Sequence, residues 1–159
     1  MIRIEYLADH PSQLPTVAAW QHAEFAYLNP SLSIEARKDR LRLSLQKEQL
    51  PLVLLAISDD GQALGTASLL STTLTHQHLT PWLSTVVVPP AHRQQGIASA
   101  LSLQAVAKAG ALGFKTLYLF TPHNESLYAR LGWHTMERAE LNSVPITIMA
   151  MATTGIEHP

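Results

Sequence analysis

Three groups of residues in this chain have the types and spacing to do chemistry. The most informative is Val86-Val87-Val88-Pro89-Pro90-Ala91-His92-Arg93-Gln94-Gln95-Gly96-Ile97-Ala98: an apolar run, a proline-broken loop, and a glycine opening a long helical pattern. The first turn of a helix carries backbone N–H groups with no intrahelical acceptor and the positive end of the macrodipole, so it attracts phosphate. A side chain at Gly96 would obstruct the approach of a phosphate oxygen, and the small Ala98 and Ser99 keep the next turn open. The stretch has no Walker-loop lysine, and it differs from Gly-x-Gly-x-x-Gly because the residue two before Gly96 is Gln94. An ordinary strand-to-helix turn also uses a glycine, so the loop alone identifies no ligand. The second group is Glu24, a carboxylate in the middle of an apolar helical arc formed by Val17, Trp20, Tyr27 and Leu28. The third is His76-x-His78, whose imidazoles titrate in a useful range. Two histidines without a third ligand do not make a zinc site, and no metal is expected.

These residues need elements to position them. Ile2 to Leu7 alternates as a strand does, and a helix carries Glu24. A second helix is expected from Ser33, as N-cap, to Gln49, stopped by Pro51. Its apolar stripe is Ile34, Leu41 and Leu45, with Arg37, Lys38, Arg40 and Lys47 on other faces. Leu52 to Ile57 and Ala63 to Leu70 read as two strands of a hairpin around Asp59-Asp60-Gly61. Gly65 marks a bulge or close packing. Trp82 to Val88 is a strand that Pro89-Pro90 must end. Gly96 to Gly113 is a broad helix capped by Gly113, then come a strand over Lys115 to Thr121 and a short helix ending at Leu131-Gly132. Strands over Trp133 to Arg138 and Val144 to Met151 complete the order βααβββαβαββ, an α+β (mixed α/β) layout in one domain, residues 1–159. The tail from Thr153 to Pro159 is expected to fray.

The composition narrows the function classes. The 159 residues are 47% hydrophobic and 14% charged, with a net charge of -1 and no cysteine. Disulfides, thiolate metal sites and cysteine nucleophiles are therefore excluded. The basic excess of a nucleic-acid binder is missing, and no apolar run reaches the ~18 residues of a membrane span. With no signal-peptide layout at Met1 to Tyr6, a cytoplasmic protein is expected.

Arg93, with glycine three residues later at Gly96 and a small residue two further on at Ala98, resembles the pyrophosphate loop of the GNAT superfamily of N-acetyltransferases. Val88 stands five residues before Arg93, as the superfamily usually has it. Leu127-Tyr128-Ala129-Arg130-Leu131-Gly132-Trp133 is similar to its segment of tyrosine, glycine and a large aromatic residue, and Ile146 to Met149 to its closing strand. Residues 50 to 151 follow the superfamily well, and residues 1 to 49 only in element order.

The resemblance implies a mostly antiparallel sheet with splayed middle strands, flanked by helices, and acetyl-CoA as co-substrate. It implies that backbone groups of Val86, Val87 and Val88 pair with pantetheine as an added strand would. Arg93 and the N–H groups of Gln94, Gln95, Gly96, Ile97, Ala98 and Ser99 would hold the pyrophosphate. Tyr128 would sit near the thioester sulfur, and Asn124 would contact the cofactor, although its four-residue offset from Tyr128 is shorter than the common pattern. Many members carry glycine where this chain has Gln94. The chemistry would be acetyl transfer to a neutral amine, whose usual pKa for a lysine-type group is about 10.4. A backbone N–H near Val86-Val88 would hold the oxyanion and the Tyr128 phenol would protonate the thiolate; otherwise Tyr128 is a core residue with its hydroxyl satisfied locally. The base would be Glu24, His76, His78 or water; Glu24 reads alternatively as a boundary residue reaching solvent or pairing with an arginine, and His76 and His78 as residues of a solvated loop. His92 and His123 read as surface residues. With no cysteine to carry an acyl group, direct transfer in a ternary complex is the leading route. A non-catalytic CoA-binding sensory module is the alternative. The acceptor is a small-molecule or peptide amine chosen by the first two helices and the Ser71–Thr80 loop, in a monomer or homodimer.

Overall fold

The computed structural model describes residues 2–153. The elements are β1 (Arg3–Tyr6), α1 (Leu14–Phe25), α2 (Ile34–Leu43), β2 (Leu52–Ile57), β3 (Ala63–Leu70), β4 (Trp82–Val87), α3 (Ile97–Ala111), β5 (Thr116–Thr121), α4 (Glu125–Arg130), β6 (His134–Leu141) and β7 (Val144–Ala152). Their order is the expected βααβββαβαββ. The strands make one seven-stranded sheet, β1-β2-β3-β4-β5-β7-β6. Every pairing is antiparallel except β4 with β5. This is the expected α+β architecture. No helix among the described residues is long and apolar enough to cross a membrane.

β2 shows why its sequence is an unbroken apolar run. Leu52, Leu54 and Ala56 pack with α3 on one face, while Val53, Leu55 and Ile57 pack with α1 and α2 on the other. A strand covered on both faces has no solvent side to mark with polar residues. The hairpin to β3 turns at Gly61, whose φ is +85°. At Gly65 a Cβ would lie 3.0 Å from Ile97 Cγ2 and 3.1 Å from the Val87 carbonyl, so the glycine lets the first turn of α3 press onto the sheet. α3 ends in a Schellman motif: Phe114 N–H donates to Ala109 O and Gly113 N–H to Gly110 O, with Gly113 at φ +96°.

Three expectations need correction. α2 stops at Leu43 rather than Gln49. The Ser44 hydroxyl donates to the Arg40 carbonyl and its N–H to Leu41 O, ending the helix a turn and a half early. Leu45 still reaches the cluster formed with Ile34 and Leu41. On α1 the buried residues are Leu14, Val17, Ala18 and Gln21; Glu24, two turns beyond Val17 on the same face, stands one residue before the helix ends at Phe25 and is exposed there, not enclosed by the arc. Thr153 is tied down: its N–H donates to Lys115 O and its hydroxyl to Phe114 O. The rest of the tail, 154–159, lies outside the described residues.

Candidate active site

The parallel pair β4–β5 has a single registered contact, Trp82 opposite Tyr118. Trp82 is fully buried, its indole N–H donates to Leu79 O, and its ring packs against Tyr118 and Phe120. Beyond that point the strands diverge, as expected for the middle of the sheet. β4 is also bulged. Ser68 and Thr66 of β3 face Ser84 and Val87, so Thr85 and Val86 together oppose Ala67. Thr85 takes φ +48°, a conformation rare for a β-branched side chain. Its hydroxyl receives a hydrogen bond from Gln21 Nε2 (3.3 Å) and donates one to Ser68 Oγ (2.8 Å). These partners hold the bulge open.

A cleft of about 400 Å³ occupies the divergence. Leu83–Val86 form one wall and Leu119–Asn124 with Tyr128 the other. The end of α1, the α1–α2 connection and two arginines of α2 close the remaining side, with Thr72, Thr73 and Leu74 from the β3–β4 loop. Val86 lines the cleft, whereas Val87 is in the core and Val88 packs against it. Asn124, exposed at the start of α4, lines the cleft too; its N–H donates to Thr121 Oγ1.

The 88–99 loop has a different character. Arg93 Nε donates to the Val88 carbonyl at 2.8 Å, which closes the loop on itself, and its terminal nitrogen lies 3.5 Å from Glu24 Oε1. Gln94 has φ +63° and Gly96, the N-cap of α3, φ +79°, with no side chain capping the helix. Among the described residues none of the six backbone N–H groups from Gln94 to Ser99 has a protein acceptor. Gln94, Gln95 and Gly96 are exposed, and a Cβ at Gly96 would meet nothing within 4 Å. Unpaired N–H groups at a helix N-terminus, facing open space, are what a pyrophosphate requires. The residues therefore fit the phosphate end of acetyl-CoA.

Tyr128 is 6% exposed and its ring meets Trp133 edge-on at 5.9 Å. The hydroxyl bonds no group among the described residues, and burial pushes its pKa up to about 12. The backbone fixes the ring: Tyr128 O accepts from both Leu131 N–H and Trp133 N–H, around Gly132 at φ +101°. A Cβ at Gly132 would also stand 3.2 Å from Met151 Cε. Gly132→Ala is expected to destabilise the fold by about 1–2 kcal/mol, read as a lowered midpoint in urea at unchanged slope.

Of the other candidates, Glu24 lines the cleft and meets the loop through Arg93. His76 is held in its own loop by Thr75 Oγ1 (2.6 Å) and Glu137 (3.0 Å), with the His78 ring 5.9 Å away. Neither histidine lines the cleft. Among the described residues no three His, Asp or Glu side chains gather as a metal site. His123 does line the cleft, 3.4 Å from the Tyr27 hydroxyl. Arg37 and Arg40 were not anticipated there. The spacing 34, 37, 41 sets Arg37 on the same helix face as Ile34 and Leu41, a signal present in the sequence.

A family model described as Acetyltransferase (GNAT) family matches residues 9–133. The fold is similar to spermidine N-acetyltransferase from Vibrio cholerae in complex with CoA and spermine, with TM-score 0.74, 13% identity and 96% of each chain covered. It is likewise similar to an aminoglycoside 6'-N-acetyltransferase complexed with coenzyme A (TM-score 0.73, 14% identity, 99% of each chain). A third such structure is an aminoglycoside 6'-acetyltransferase type Ii (TM-score 0.73, 16% identity, 99% of each chain). No curated protein matches the chain by sequence. With the matched model spanning most of its length, this chain belongs to the GNAT acetyltransferase family.

Proposed function

We propose that the chain is a single-domain N-acetyltransferase that moves the acetyl group of acetyl-CoA directly to a primary amine held in the β4–β5 cleft. The observation that carries this reading is the shared cleft: a bulged stretch of β4 lines it together with a buried tyrosine whose hydroxyl has no partner among the described residues. The co-substrate supplies a thioester, an acyl group already activated toward amines. The N–H groups from Gln94 to Ser99 grip its pyrophosphate, and the free edge of β4 over Val86-Val88 offers ladder positions to the pantetheine amides. A backbone N–H at the bulge supplies the donor for the oxyanion. The Tyr128 hydroxyl donates to the departing sulfur. Asn124, at the cleft rim, is a further polar contact for the cofactor arm.

Glu24 is the one carboxylate lining the cleft among the described residues, and it serves as proton acceptor, through water, for the attacking amine. Because it is exposed and its site is open to solvent, water shares this work. Glu24→Gln is therefore expected to lower kcat/KM by about tenfold or less, at the weak end of general-base effects. A profile of kcat/KM against pH for both proteins checks this.

The direct test is release of CoA thiol from acetyl-CoA across a panel of amines, with the acetylated product identified by mass. Turnover of an amine without a covalent acetyl-protein species supports the reading. Tight acetyl-CoA binding with no turnover of any amine would instead identify a sensory module.

A further inference from the structure

Resting on the acyl-transfer reading above, we propose that the acceptor amine carries an anionic group, a carboxylate or phosphonate, and that Arg37 and Arg40 bind it at the α2 end of the cleft. Arg37 is 5% exposed, yet it has no ion pair and no side-chain hydrogen bond among the described residues. Its Nε is sealed from solvent without a partner, and the residue lines the cleft. A buried guanidinium without a counter-ion is costly, and its fixed fork of donors suits a carboxylate or phosphonate. Arg40 lines the same cleft and likewise has no ion pair among the described residues.

The surrounding charges do not offset the pair. On α2, Glu35 is taken by Lys38 (3.4 Å) and Asp39 by Arg42 (2.6 Å). Glu24, the cleft's carboxylate, sits on Arg93. Burial, then the neighbouring Arg40 charge, push the Arg37 guanidinium below the usual arginine value. Two like charges therefore line one cavity, and neither forms an ion pair with its one carboxylate, Glu24, among the described residues. The arginines are also separate from the pyrophosphate loop, because no residue from Arg93 to Ser99 lines this cleft. Leu28, Leu32 and Leu74 line the same cleft and suit a short aliphatic spacer between amine and acid. A polyamine would instead bring its second positive charge against two guanidinium groups.

The test is steady-state thiol release with ω-amino carboxylates of graded chain length and their carboxamides, 2-aminoethylphosphonate and ethylamine, and a diamine. In at least one matched pair the acid is expected to exceed the neutral partner in kcat/KM by about tenfold to a hundredfold, as charge-assisted hydrogen bonds allow. The carboxylate and phosphonate arms distinguish the two kinds of acid. Arg37→Gln should bring that ratio to within about threefold, through KM, with the Kd for CoA unchanged. Arg40→Glu, at an exposed position that cannot disturb the core, should lower the ratio and raise the diamine. Should Arg37→Gln not fold, the wild-type ratio and Arg40→Glu still decide. The proposal is overturned if amines are acetylated with no acid preference, or if the preference survives both substitutions. If no amine is acetylated, the acyl-transfer reading itself has failed; the anion site then stands or falls on whether 2-aminoethylphosphonate, but not ethylamine, raises the melting temperature of wild type and not of Arg40→Glu.

Discussion

Tyr128→Phe is expected to lower kcat/KM for amine acetylation by about 10²–10³-fold, the usual consequence of deleting one donor aimed at developing charge. Stability should stay within about 0.5 kcal/mol of wild type at neutral pH, because the hydroxyl has no protein partner to orphan and the ring keeps its edge-on contact with Trp133. That separation of activity from stability distinguishes a working hydroxyl from a core anchor. Burial holds the phenol at about 12, whereas an ordinary thiol titrates near pKa 8.5, so outright proton transfer to the sulfur is uphill by roughly 5 kcal/mol. In the proposed reaction Tyr128 is therefore a hydrogen-bond donor that steadies the departing thiolate, not its proton source. On that proposal the proton that ends on sulfur is the one released by the amine.

The same burial has a signature in alkali. The folded-state pKa is above the unfolded value of about 10, so the unfolded chain releases this proton first as pH rises. The stability linked to neutral Tyr128 is present below about pH 10 and is lost between about pH 10 and 12. Denaturant melts across that window should fall more steeply for wild type than for Tyr128→Phe. An unchanged rate in Tyr128→Phe from pH 6 to 10, by contrast, removes the tyrosine from the chemistry.

The parts of the site that could be read from sequence are those made by local rules. A proline-ended apolar run, a loop arginine and a glycine before a long apolar helix specify the strand, loop and helix N-terminus with little help from tertiary structure. Gly132 after Tyr128 belongs to the same class, since a positive φ there calls for glycine. The bulge in β4 is different. Its left-handed residue is Thr85, and the groups that hold it there, Gln21 and Ser68, come from α1 and β3. No window of sequence around Thr85 contains them. Glu24 shares the face of Val17, but periodicity does not say where the helix ends: one residue before the end of α1 it is exposed and reaches Arg93, while Gln21 is the buried polar residue of this helix, as partner of Thr85. Arg37 was within reach, because its spacing from Ile34 and Leu41 marks the buried face. A charged side chain is assigned to solvent by default, and only the cavity explains why this one is not there.

Gly96→Asp is expected to weaken CoA binding by at least about a hundredfold, while Gly96→Ala weakens it less, by about tenfold. Both variants force an L side chain into φ +79°, at a shared cost of about 1–2 kcal/mol. The space in front of Gly96 is empty, so neither side chain clashes with the protein. In aspartate the negative charge at the start of α3 also recovers about 0.3–1 kcal/mol from the helix dipole. The unliganded Asp variant should therefore be no less stable than the Ala variant, and yet bind CoA more weakly, because its carboxylate stands where the pyrophosphate docks. Calorimetric titration with CoA, beside melts without ligand, reads the two effects separately. In wild type, CoA at a hundred times its Kd should add about 2.7 kcal/mol, and at the same concentration this increment should fall to about 0.4 kcal/mol or less in Gly96→Asp. An Asp variant that binds CoA as tightly as the Ala variant would mean that the pyrophosphate lies elsewhere. With a net charge of -1 the chain has no overall basic excess to substitute for the loop. On the proposed reading, pyrophosphate recognition rests chiefly on the fixed backbone dipoles of the loop, which is why one carboxylate placed among them should weaken it so strongly.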